Sequence, residues 1–202
     1  MTWTLALGGA SVDGGLYTWV TDLSAHTPRV VNDTVSLWSD YGLALFAVLM
    51  VVAWWRARGE GGARMARALA SPVIVVVAFA VNSVLKSVVD EQRPCRTLHT
   101  VTVEACPALG DWSFPSNHAV IAAAAAVALL LADRRIGLIA VPAAVLMGAS
   151  RVWIGAHYPH DVAAGLAVGA LLALLLTRAA TRAAPLVDRL GTTRLRPLVS
   201  TQ

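Results

Sequence analysis

Three short blocks of the sequence combine basic side chains and histidines in a way that suits chemistry on a phosphate group. They read Lys86-Ser-Val-Val-Asp-Glu-Gln-Arg93-Pro94, Pro115-Ser116-Asn117-His118 and Ser150-Arg151-Val-Trp-Ile-Gly-Ala-His157-Tyr-Pro-His-Asp161. Phosphate oxygens gain or redistribute negative charge during phosphoryl transfer, so fixed cations are the largest catalytic contribution available. Lys86, Arg93 and Arg151 are such cations. A single arginine would be interpreted as an anchor to lipid headgroups, whereas the trio indicates a phosphate site.

The three blocks together resemble the signatures of the type 2 phosphatidic acid phosphatase family of lipid phosphatases. Those signatures are Lys-x6-Arg-Pro, Pro-Ser-Gly-His and Ser-Arg-x5-His-x3-Asp, and the match runs in order and register from Lys86 to Asp161. One block alone could occur by chance, but three in sequence are hard to produce accidentally. The resemblance implies an integral membrane enzyme that removes a phosphate from a lipid.

The resemblance also implies a role for each side chain. His157 is the nucleophile that forms a phospho-histidine intermediate, and Asp161 accepts a hydrogen bond from its other ring nitrogen. His118 is the general acid for the leaving oxygen and then the base that activates water. The residues implied to bind phosphate are Lys86, Arg93, Ser116, Asn117 and Arg151.

Ser116 and Asn117 open the third apolar segment. Ser116 is predicted to cap its helix while the hydroxyl and nearby N–H groups meet phosphate; for an isolated serine, a cap alone would be the simpler interpretation. Asn117 departs from the family, where glycine is usual. Asparagine is among the few residues that tolerate a positive φ, so we expect activity to persist and the fit around the phosphate to change.

No metal ion and no other cofactor is expected. His157 and Asp161 are committed to the nucleophile and its partner, and the nearby cations would repel a metal, so turnover is predicted to be metal-independent. The remaining histidines, His26, His99 and His160, are interpreted as surface or interfacial residues.

The two cysteines, Cys95 and Cys106, lie in one polar stretch between apolar segments. If that stretch faces an oxidising compartment, a disulfide would close a short loop and restrain it. Two unpaired thiols are the alternative. A zinc site is not indicated, because no second close pair of Cys or His residues accompanies them at ligand spacing.

The elements that position these blocks are predicted to be membrane helices. Of 202 residues, 57% are hydrophobic and 14% charged, and the mean hydropathy is +0.64, which is too apolar for an ordinary soluble fold. Five segments approach the roughly 20 apolar residues of a spanning helix: Tyr41–Trp55, Ala66–Val89, His118–Ala132, Ile136–Ile154 and Asp161–Thr177. In the last of these, Gly165 and Gly169 form a GxxxG motif that indicates close packing within the bundle rather than dimerisation.

The predicted fold is therefore all-α, a polytopic membrane helical bundle of about five transmembrane helices with an interfacial N-terminal segment. That segment is too polar to span, and Trp19 and Trp38 suit headgroup depth. No signal peptide is predicted, because Met1 to Ala10 has no basic region. We divide the chain into an interfacial segment at 1–40, a transmembrane catalytic domain at 41–177 and a basic cytoplasmic tail at 178–202.

The arginines predict the orientation of the bundle. Eleven of the 16 basic residues lie in the first and third loops between spans and in the tail: Arg56, Arg58, Arg64, Arg67, Arg134, Arg135, Arg178, Arg182, Arg189, Arg194 and Arg196. By the positive-inside rule this face is cytoplasmic, so the three blocks face outward from an inner (plasma) membrane. The formal charge of +4 comes without aromatics interleaved among basic residues, which argues against nucleic-acid binding.

A site at the outer interface reaches the phosphate of an amphiphile whose tail stays in the bilayer, which favours a lipid substrate. A short five-span chain with Asp33 and a Tyr41-Gly42 entry to the first span resembles the undecaprenyl-diphosphate phosphatases, which cut a polyprenyl diphosphate to the monophosphate. A phosphatidate or phosphatidylglycerophosphate phosphatase is the alternative. Vanadium-dependent haloperoxidases share a similar constellation but are soluble, and a non-catalytic phospholipid-binding membrane protein would keep the pocket without turnover. The sequence sets no oligomeric state.

Overall fold

The structure is a computed structural model that describes residues 8–199, and within that range the chain is helical without β-strands. Residues 1–7, which include most of the stretch considered for a signal peptide, and residues 200–202 of the tail lie outside the described part. The helices are α1 Gly9–Ala25, α2 Arg29–Tyr41, α3 Leu43–Ala57, α4 Gly62–Val88, α5 Pro94–Thr97, α6 Asn117–Ala132, α7 Arg134–Trp153, α8 Pro159–Ala180, a 3₁₀ turn Thr181–Ala183, α9 Ala184–Leu190 and α10 Arg196–Val199.

Helices α3, α4, α6, α7 and α8 stand where the five apolar segments were predicted. Three stretches are long and apolar enough to cross a membrane, namely Gly62–Val88, Arg134–Trp153 and Pro159–Leu190, the last being α8 continued into α9. Helices α2 and α3 pass the same test only together, and they are bent by 50° where they meet. The all-α membrane bundle is confirmed, and the described residues contain three complete spans, or four with the bent pair.

Helix α6 is the shorter apolar helix at the centre of the bundle. It packs against α3, α4, α7 and α8, and ten of its 16 residues are buried, eight of them alanines. In a membrane, helices associate through close van der Waals packing rather than through exclusion of water, so small side chains at the contact are favourable. The alanine-rich sequence therefore suits a helix surrounded by other helices rather than by lipid.

Helix α8 approaches α6 so closely that two positions of α8 admit no side chain. A Cβ atom at Gly165 would lie 2.7 Å from the carbonyl oxygen of Ser116, and one at Gly169 would lie 2.3 Å from that of Val120. Both distances are too short for a carbon beside a backbone oxygen. The GxxxG motif thus packs within the bundle, as predicted.

The two N-terminal helices pack onto the end of the bundle that carries the three sequence blocks. Tyr17 of α1 is fully buried and donates a hydrogen bond to the carbonyl of Gly155 at 3.0 Å, while its ring lies 5.6 Å from that of Tyr158. The opposite side of α1 leaves Trp19 64% exposed. The segment predicted to be interfacial is therefore a helical cover on the site, and its depth in the bilayer stays a prediction.

The opposite end of the bundle is tied together by Asp133, which lies between α6 and α7. Its carboxylate accepts hydrogen bonds from Nε of Arg56 at 2.7 Å and from a terminal nitrogen of Arg64 at 2.5 Å. It also accepts the backbone N–H of Arg135 at 2.9 Å, which caps α7. Ends of α3, α4, α6 and α7 consequently meet where the arginine-rich face was predicted.

We expect Gly169→Ala to lower the free energy of unfolding by about 1–3 kcal/mol, because the new methyl group meets backbone of α6 that cannot move aside alone. Gly15→Ala is the matched control, since no atom lies within 4 Å of a Cβ at that position of α1 and alanine favours helix. Thermal unfolding of both variants in detergent measures the difference. Equal melting temperatures would contradict the tight contact between α6 and α8.

Asp133→Asn is expected to destabilise the protein in a pH-dependent way. Burial alone would raise the pKa of Asp133, but the hydrogen bonds that its carboxylate accepts from Arg56, Arg64 and the start of α7 lower it to about 2. Because this folded value lies below the unfolded value of about 4, the stabilisation is complete above that unfolded value and is lost as pH falls toward about 2. The variant should lose roughly 2 kcal/mol at neutral pH.

Denaturation in detergent over a pH series tests this prediction. The gap between wild type and Asp133→Asn should narrow as pH falls from about 4 to about 2. The control is Asp22→Asn, since the side chain of Asp22 is 76% exposed. A gap that stays constant with pH would show that the ionised carboxylate is not the source of the stabilisation.

Candidate active site

The three sequence blocks meet at the end of the bundle opposite Asp133. Lys86 lies in the last turn of α4, Asn117 begins α6, and Arg151 lies in the last turn of α7. His157 lies in the connection between α7 and α8, and Asp161 in the first turn of α8. The ends of four helices thus bring together residues that are up to 75 positions apart, as the predicted topology required.

The His157 side chain is 2% exposed and contacts a different group at each ring nitrogen. A terminal nitrogen of Arg93 lies 3.0 Å from Nε2. Since a guanidinium has only donors, Nε2 must accept and therefore carries a lone pair. The proton of the neutral ring then lies on Nδ1, which faces Oδ2 of Asp161 at 3.4 Å.

The imidazole of His157 is neutral at ordinary pH. Burial lowers its pKa well below the usual value, and the positive charges of Arg93, Arg151 and Lys86, with His118, lower it further. A neutral ring keeps the lone pair on Nε2 that a nucleophile needs. His118 is the second residue of α6 and is half-buried, at the same end of the bundle as His157.

Asp161 is fully buried and is held by two further donors. The Ser113 hydroxyl donates to Oδ2 at 2.5 Å and also lies 3.4 Å from Nδ1 of His157. The backbone N–H of Tyr158 donates to the same oxygen at 2.9 Å. The predicted pairing of His157 with Asp161 is therefore present as a long contact, with Ser113 bridging the two side chains.

Arg93 is 4% exposed and connects three segments of the site. Besides His157, it donates to the carbonyl of Ala156 at 2.8 Å and, through Nε, to the carbonyl of Asp111 at 2.9 Å. Its other terminal nitrogen lies 3.0 Å from the Asp111 carboxylate. Lys86 approaches the same carboxylate, with 3.1 Å between Nζ and Oδ1.

Arg151 is 8% exposed and is oriented from α2. One terminal nitrogen of Arg151 donates to the Ser39 hydroxyl at 2.6 Å. Next to Arg151 in α7, Trp153 donates through its indole N–H to Asn32 at 2.9 Å. Helix α2 consequently fixes one of the three cations, a contribution that the sequence motifs do not contain.

Ser116 occupies the N-cap position of α6, but its hydroxyl does not cap the helix. The hydroxyl oxygen is buried and makes no hydrogen bond to any residue between 8 and 199, while its backbone N–H donates to the carbonyl of Asp161 at 3.1 Å. The prediction of a side-chain cap was wrong. The first N–H groups of α6 therefore lack a side-chain acceptor, which suits an anion at this helix end.

Asn117 has the negative φ of a helical residue, so the structure does not require the positive φ that was considered for it. Instead, its side-chain oxygen accepts a hydrogen bond from Asn82 of α4 at 2.7 Å. Asn82 also donates to the carbonyl of Pro115 at 3.3 Å. The amide that replaces glycine thus joins α6 to α4, a contact that glycine cannot make.

His160, interpreted above as a surface or interfacial residue, lies between carboxylates, and its side chain is only 19% exposed. Its Nδ1 lies 2.8 Å from Asp13 of α1 and its Nε2 lies 2.9 Å from Glu91, with Asp161 at 3.4 Å from Nε2. Ligand atoms of Glu91, His160 and Asp161 fall within 4.8 Å of one another. Both ring nitrogens face carboxylates, however, so each needs an N–H, and the ring acts as a cation rather than as a metal ligand.

Cys95 and Cys106 form a disulfide, with their Cα atoms 5.9 Å apart. Cys95 belongs to α5, directly after Arg93 and Pro94, and Cys106 lies in the loop that leads to Ser113. Of the two alternatives for these cysteines, the structure contains the cross-link. It ties together the two segments that contact each other through Arg93 and Asp111.

Four residues that contact the predicted site residues or the neighbouring His160 escaped the sequence motifs: Asp13, Glu91, Asp111 and Ser113. Ser113 lies two residues before Pro115 and Glu91 lies inside the first block, so both were near a signal. Asp13 and Asp111 stand in segments without a motif, and only their contacts in the folded chain identify them.

A membrane bundle that presents two histidines, a carboxylate and three cations at one end has the architecture of a membrane phosphatase. The chain belongs to the PAP2 superfamily, whose profile matches residues 67–184, and by that membership it is a phosphatase. The family resemblance inferred from the three blocks is thereby confirmed.

Two curated relatives and one solved structure show the range of the similarity. The chain is 28% identical over 166 residues to Undecaprenyl-diphosphatase BcrC of Bacillus subtilis, covering 81% of this chain and 82% of that protein. It is 39% identical over 102 residues to the decaprenylphosphoryl-5-phosphoribose phosphatase of Mycobacterium tuberculosis, covering 50% and 54%. The structure of a PAP2-type phosphatidylglycerolphosphate phosphatase from Bacillus subtilis has a TM-score of 0.55 at 20% identity, covering 83% of this chain and 88% of that one. At that identity it shows the fold alone.

We expect Ser113→Ala to lower kcat about tenfold with little change in KM, because Ser113 orients the buried pair of His157 and Asp161. Ser83→Ala is the matched control, since that hydroxyl donates to the carbonyl of Phe79 on the exposed surface of α4. Phosphate release from a lipid phosphate in detergent measures both variants. If Ser113→Ala loses no more activity than Ser83→Ala, the bridging role is refuted.

Proposed function

We propose that this protein hydrolyses a polyprenyl diphosphate, of the undecaprenyl type, to the monophosphate, and that the transferred phosphoryl group is carried by His157. The observation that supports this most is the buried neutral imidazole, whose Nε2 lone pair lies at a cluster of cations. The similarity to Undecaprenyl-diphosphatase BcrC, over about four fifths of both chains, supports the choice of substrate.

In the first step, the Arg93 N–H that Nε2 of His157 accepts in the free protein turns to a phosphate oxygen, and the freed lone pair of Nε2 attacks the terminal phosphorus of the diphosphate. A nitrogen–phosphorus bond forms, and the bond from that phosphorus to the bridging oxygen breaks. The bridging oxygen leaves with the lipid monophosphate and takes a proton from His118. The phosphorylated ring gains positive charge, which Asp161 stabilises through Nδ1.

In the second step, water attacks the phosphorus of phospho-His157 while His118 takes its proton. The nitrogen–phosphorus bond breaks, Nε2 regains its lone pair, and inorganic phosphate leaves. Lys86, Arg93 and Arg151 stabilise the phosphate oxygens in both steps. The free hydroxyl of Ser116 and the uncapped N–H groups of α6 supply further donors to these oxygens.

The substrate reaches this site from the bilayer. The cations lie at the ends of helices whose middle sections are apolar, so a lipid phosphate can meet them while its tail stays in the membrane. The arginine-rich end around Asp133 is the cytoplasmic one by the positive-inside rule. The site then faces outward from the plasma membrane, with the tail after α8 inside.

A phosphatidate or phosphatidylglycerophosphate phosphatase is the second candidate. It would use the same residues and the same chemistry on a lipid with a diacyl tail, and the phosphatidylglycerolphosphate phosphatase of Bacillus subtilis shows that the fold accommodates such an activity. The polyprenyl assignment is preferred because both curated relatives described above are named for polyprenyl lipids.

We expect the purified protein to release phosphate from undecaprenyl diphosphate with a kcat/KM at least tenfold above that for phosphatidate or phosphatidylglycerophosphate. This ratio corresponds to about 1.4 kcal/mol of preferential transition-state binding. Initial rates of phosphate release in one detergent give the ratio. A preference for a diacyl phosphate would overturn the assignment of the substrate.

The same assay with His157→Ala tests the nucleophile. The variant should lose nearly all phosphate release and should form no acid-labile phosphoprotein, because the nitrogen that accepts the phosphoryl group is absent. His99→Ala is the control, since His99 is exposed. Unchanged release by His157→Ala would refute the mechanism, and wild-type binding without turnover would identify a non-catalytic lipid-binding protein.

A further inference from the structure

The Asp111 carboxylate forms ion pairs with both cations of the first sequence block, Lys86 and Arg93. Its Oδ1 lies 3.1 Å from Nζ of Lys86, and its Oδ2 lies 3.0 Å from a terminal nitrogen of Arg93. The side chains of Lys86 and Arg93 are 12% and 5% exposed, whereas the side chain of Asp111 is 48% exposed. The cations belong to the buried frame of the site, and the carboxylate reaches them from its open side.

The carboxylate is ionised at neutral pH. Burial raises the pKa of Asp111, but the charges of Arg93 and Lys86 and their hydrogen bonds outweigh that effect and leave the pKa below its usual value. An ionised carboxylate and a phosphate group both offer negative oxygens to the same ammonium and guanidinium donors. Asp111 therefore makes the contacts that a phosphate would make in the same place.

Asp111 is carried by a short segment, residues 107–112, that is anchored at both ends. The disulfide of Cys106 fixes one end. The other end is fixed by the backbone N–H of Ser113, which donates to the backbone carbonyl of Glu91 at 2.8 Å. Between these anchors the segment is open, with Leu109 80% exposed and Gly110 at a φ of +84°. Nε of Arg93 also holds the backbone carbonyl of Asp111, so exchange with a phosphate requires only the half-exposed carboxylate side chain to turn away.

We propose that Asp111 is an internal competitor for the phosphate site, which holds Lys86 and Arg93 in the free enzyme and is displaced by the phosphate of the substrate. The proposal rests on the role of these two cations as phosphate ligands in the proposed function. In this proposal Asp111, a residue outside the three blocks, lowers the apparent affinity of the phosphate site for any anion.

The competition lowers the occupancy of the site by the weakly bound product more than its occupancy by the tightly bound substrate. Each anion that binds must first replace the contacts of the carboxylate, which lowers the apparent affinity of all anions alike. A polyprenyl diphosphate offsets this loss with a second phosphate and with its tail, whereas inorganic phosphate has neither. Asp111 thus reduces inhibition by the released phosphate.

Competition predicts that removing the charge of Asp111 strengthens phosphate binding, whereas a purely structural role predicts that it weakens phosphate binding. If the carboxylate served only to hold Lys86 and Arg93 in position, its removal would loosen the two cations and weaken anion binding. Asp111→Asn separates the two roles because the amide has the same shape, lacks the charge, and leaves the backbone contact of Arg93 with residue 111 in place.

The test is isothermal titration calorimetry, in which inorganic phosphate is titrated into the purified protein in detergent. We expect Asp111→Asn to bind phosphate about three- to tenfold more tightly than wild type, the range that loss of two partly exposed charge contacts allows. Asp111→Glu, which keeps the charge, should remain within about twofold of wild type. The inhibition constant of phosphate in the lipid assay should fall in parallel.

The control is Asp22→Asn, which removes one negative charge from the exposed side of α1, where Asp22 pairs with His26. It should leave phosphate binding unchanged, and melting temperatures should show that all variants are folded. Weaker or unchanged phosphate binding by Asp111→Asn, or no binding by either wild type or variant, would overturn the proposal. Because calorimetry needs no turnover, failure of wild type to cleave polyprenyl diphosphate would count against the proposed function only.

Discussion

The guanidinium group of Arg93 lies almost fully buried between three segments of the chain, and a buried cation is costly unless its donors are satisfied. Here the donors meet two backbone carbonyls, the Asp111 carboxylate and Nε2 of His157. From its own position in the loop after α4, Arg93 thereby holds the loop before α6 and the connection into α8 at the same point. The geometry of the site depends on this one side chain because no segment can move away without leaving a buried donor unpaired.

The helix bundle supplies the rigidity that such a site requires. The alanines of α6 and the glycines of α8 are small enough for the two helix backbones to approach closely, which makes the distance between the helices short. The start of α6 and the start of α8 are therefore fixed relative to each other, and the backbone N–H of Ser116 reaches the carbonyl of Asp161. The packing of α6 against α8 thereby positions the proposed phosphate-binding helix end beside His157, the proposed nucleophile, and Asp161.

Charge is balanced at this end of the bundle by two separate groups of residues. Around His157, burial lowers the pKa of the imidazole and the charges of Arg93, Arg151 and Lys86 lower it further, so the ring stays neutral while these cations attract anions. Around His160, the carboxylates of Asp13, Glu91 and Asp161 surround one imidazole, and this group ties α1 to the start of α8. The first group forms the proposed phosphate site, whereas the imidazole of the second group is paired with carboxylates of the protein itself.

The sequence by itself determined the membrane class, the helical segments, the family and the meeting of three blocks at one face. Apolar runs and motif spacings are local properties, and the positive charges of Lys86, Arg93 and Arg151 point to a phosphate without any coordinates. The sequence did not reveal that Ser113 bridges His157 and Asp161, that Ser116 leaves its helix without a side-chain cap, or that Asn117 binds Asn82. Nor did it reveal that Asp111 pairs with Lys86 and Arg93, or that Asp13 contacts His160, 147 residues away. Only the tertiary structure decided these contacts, because each joins side chains from different segments through distances and hydrogen-bond directions that leave no periodic pattern in the chain.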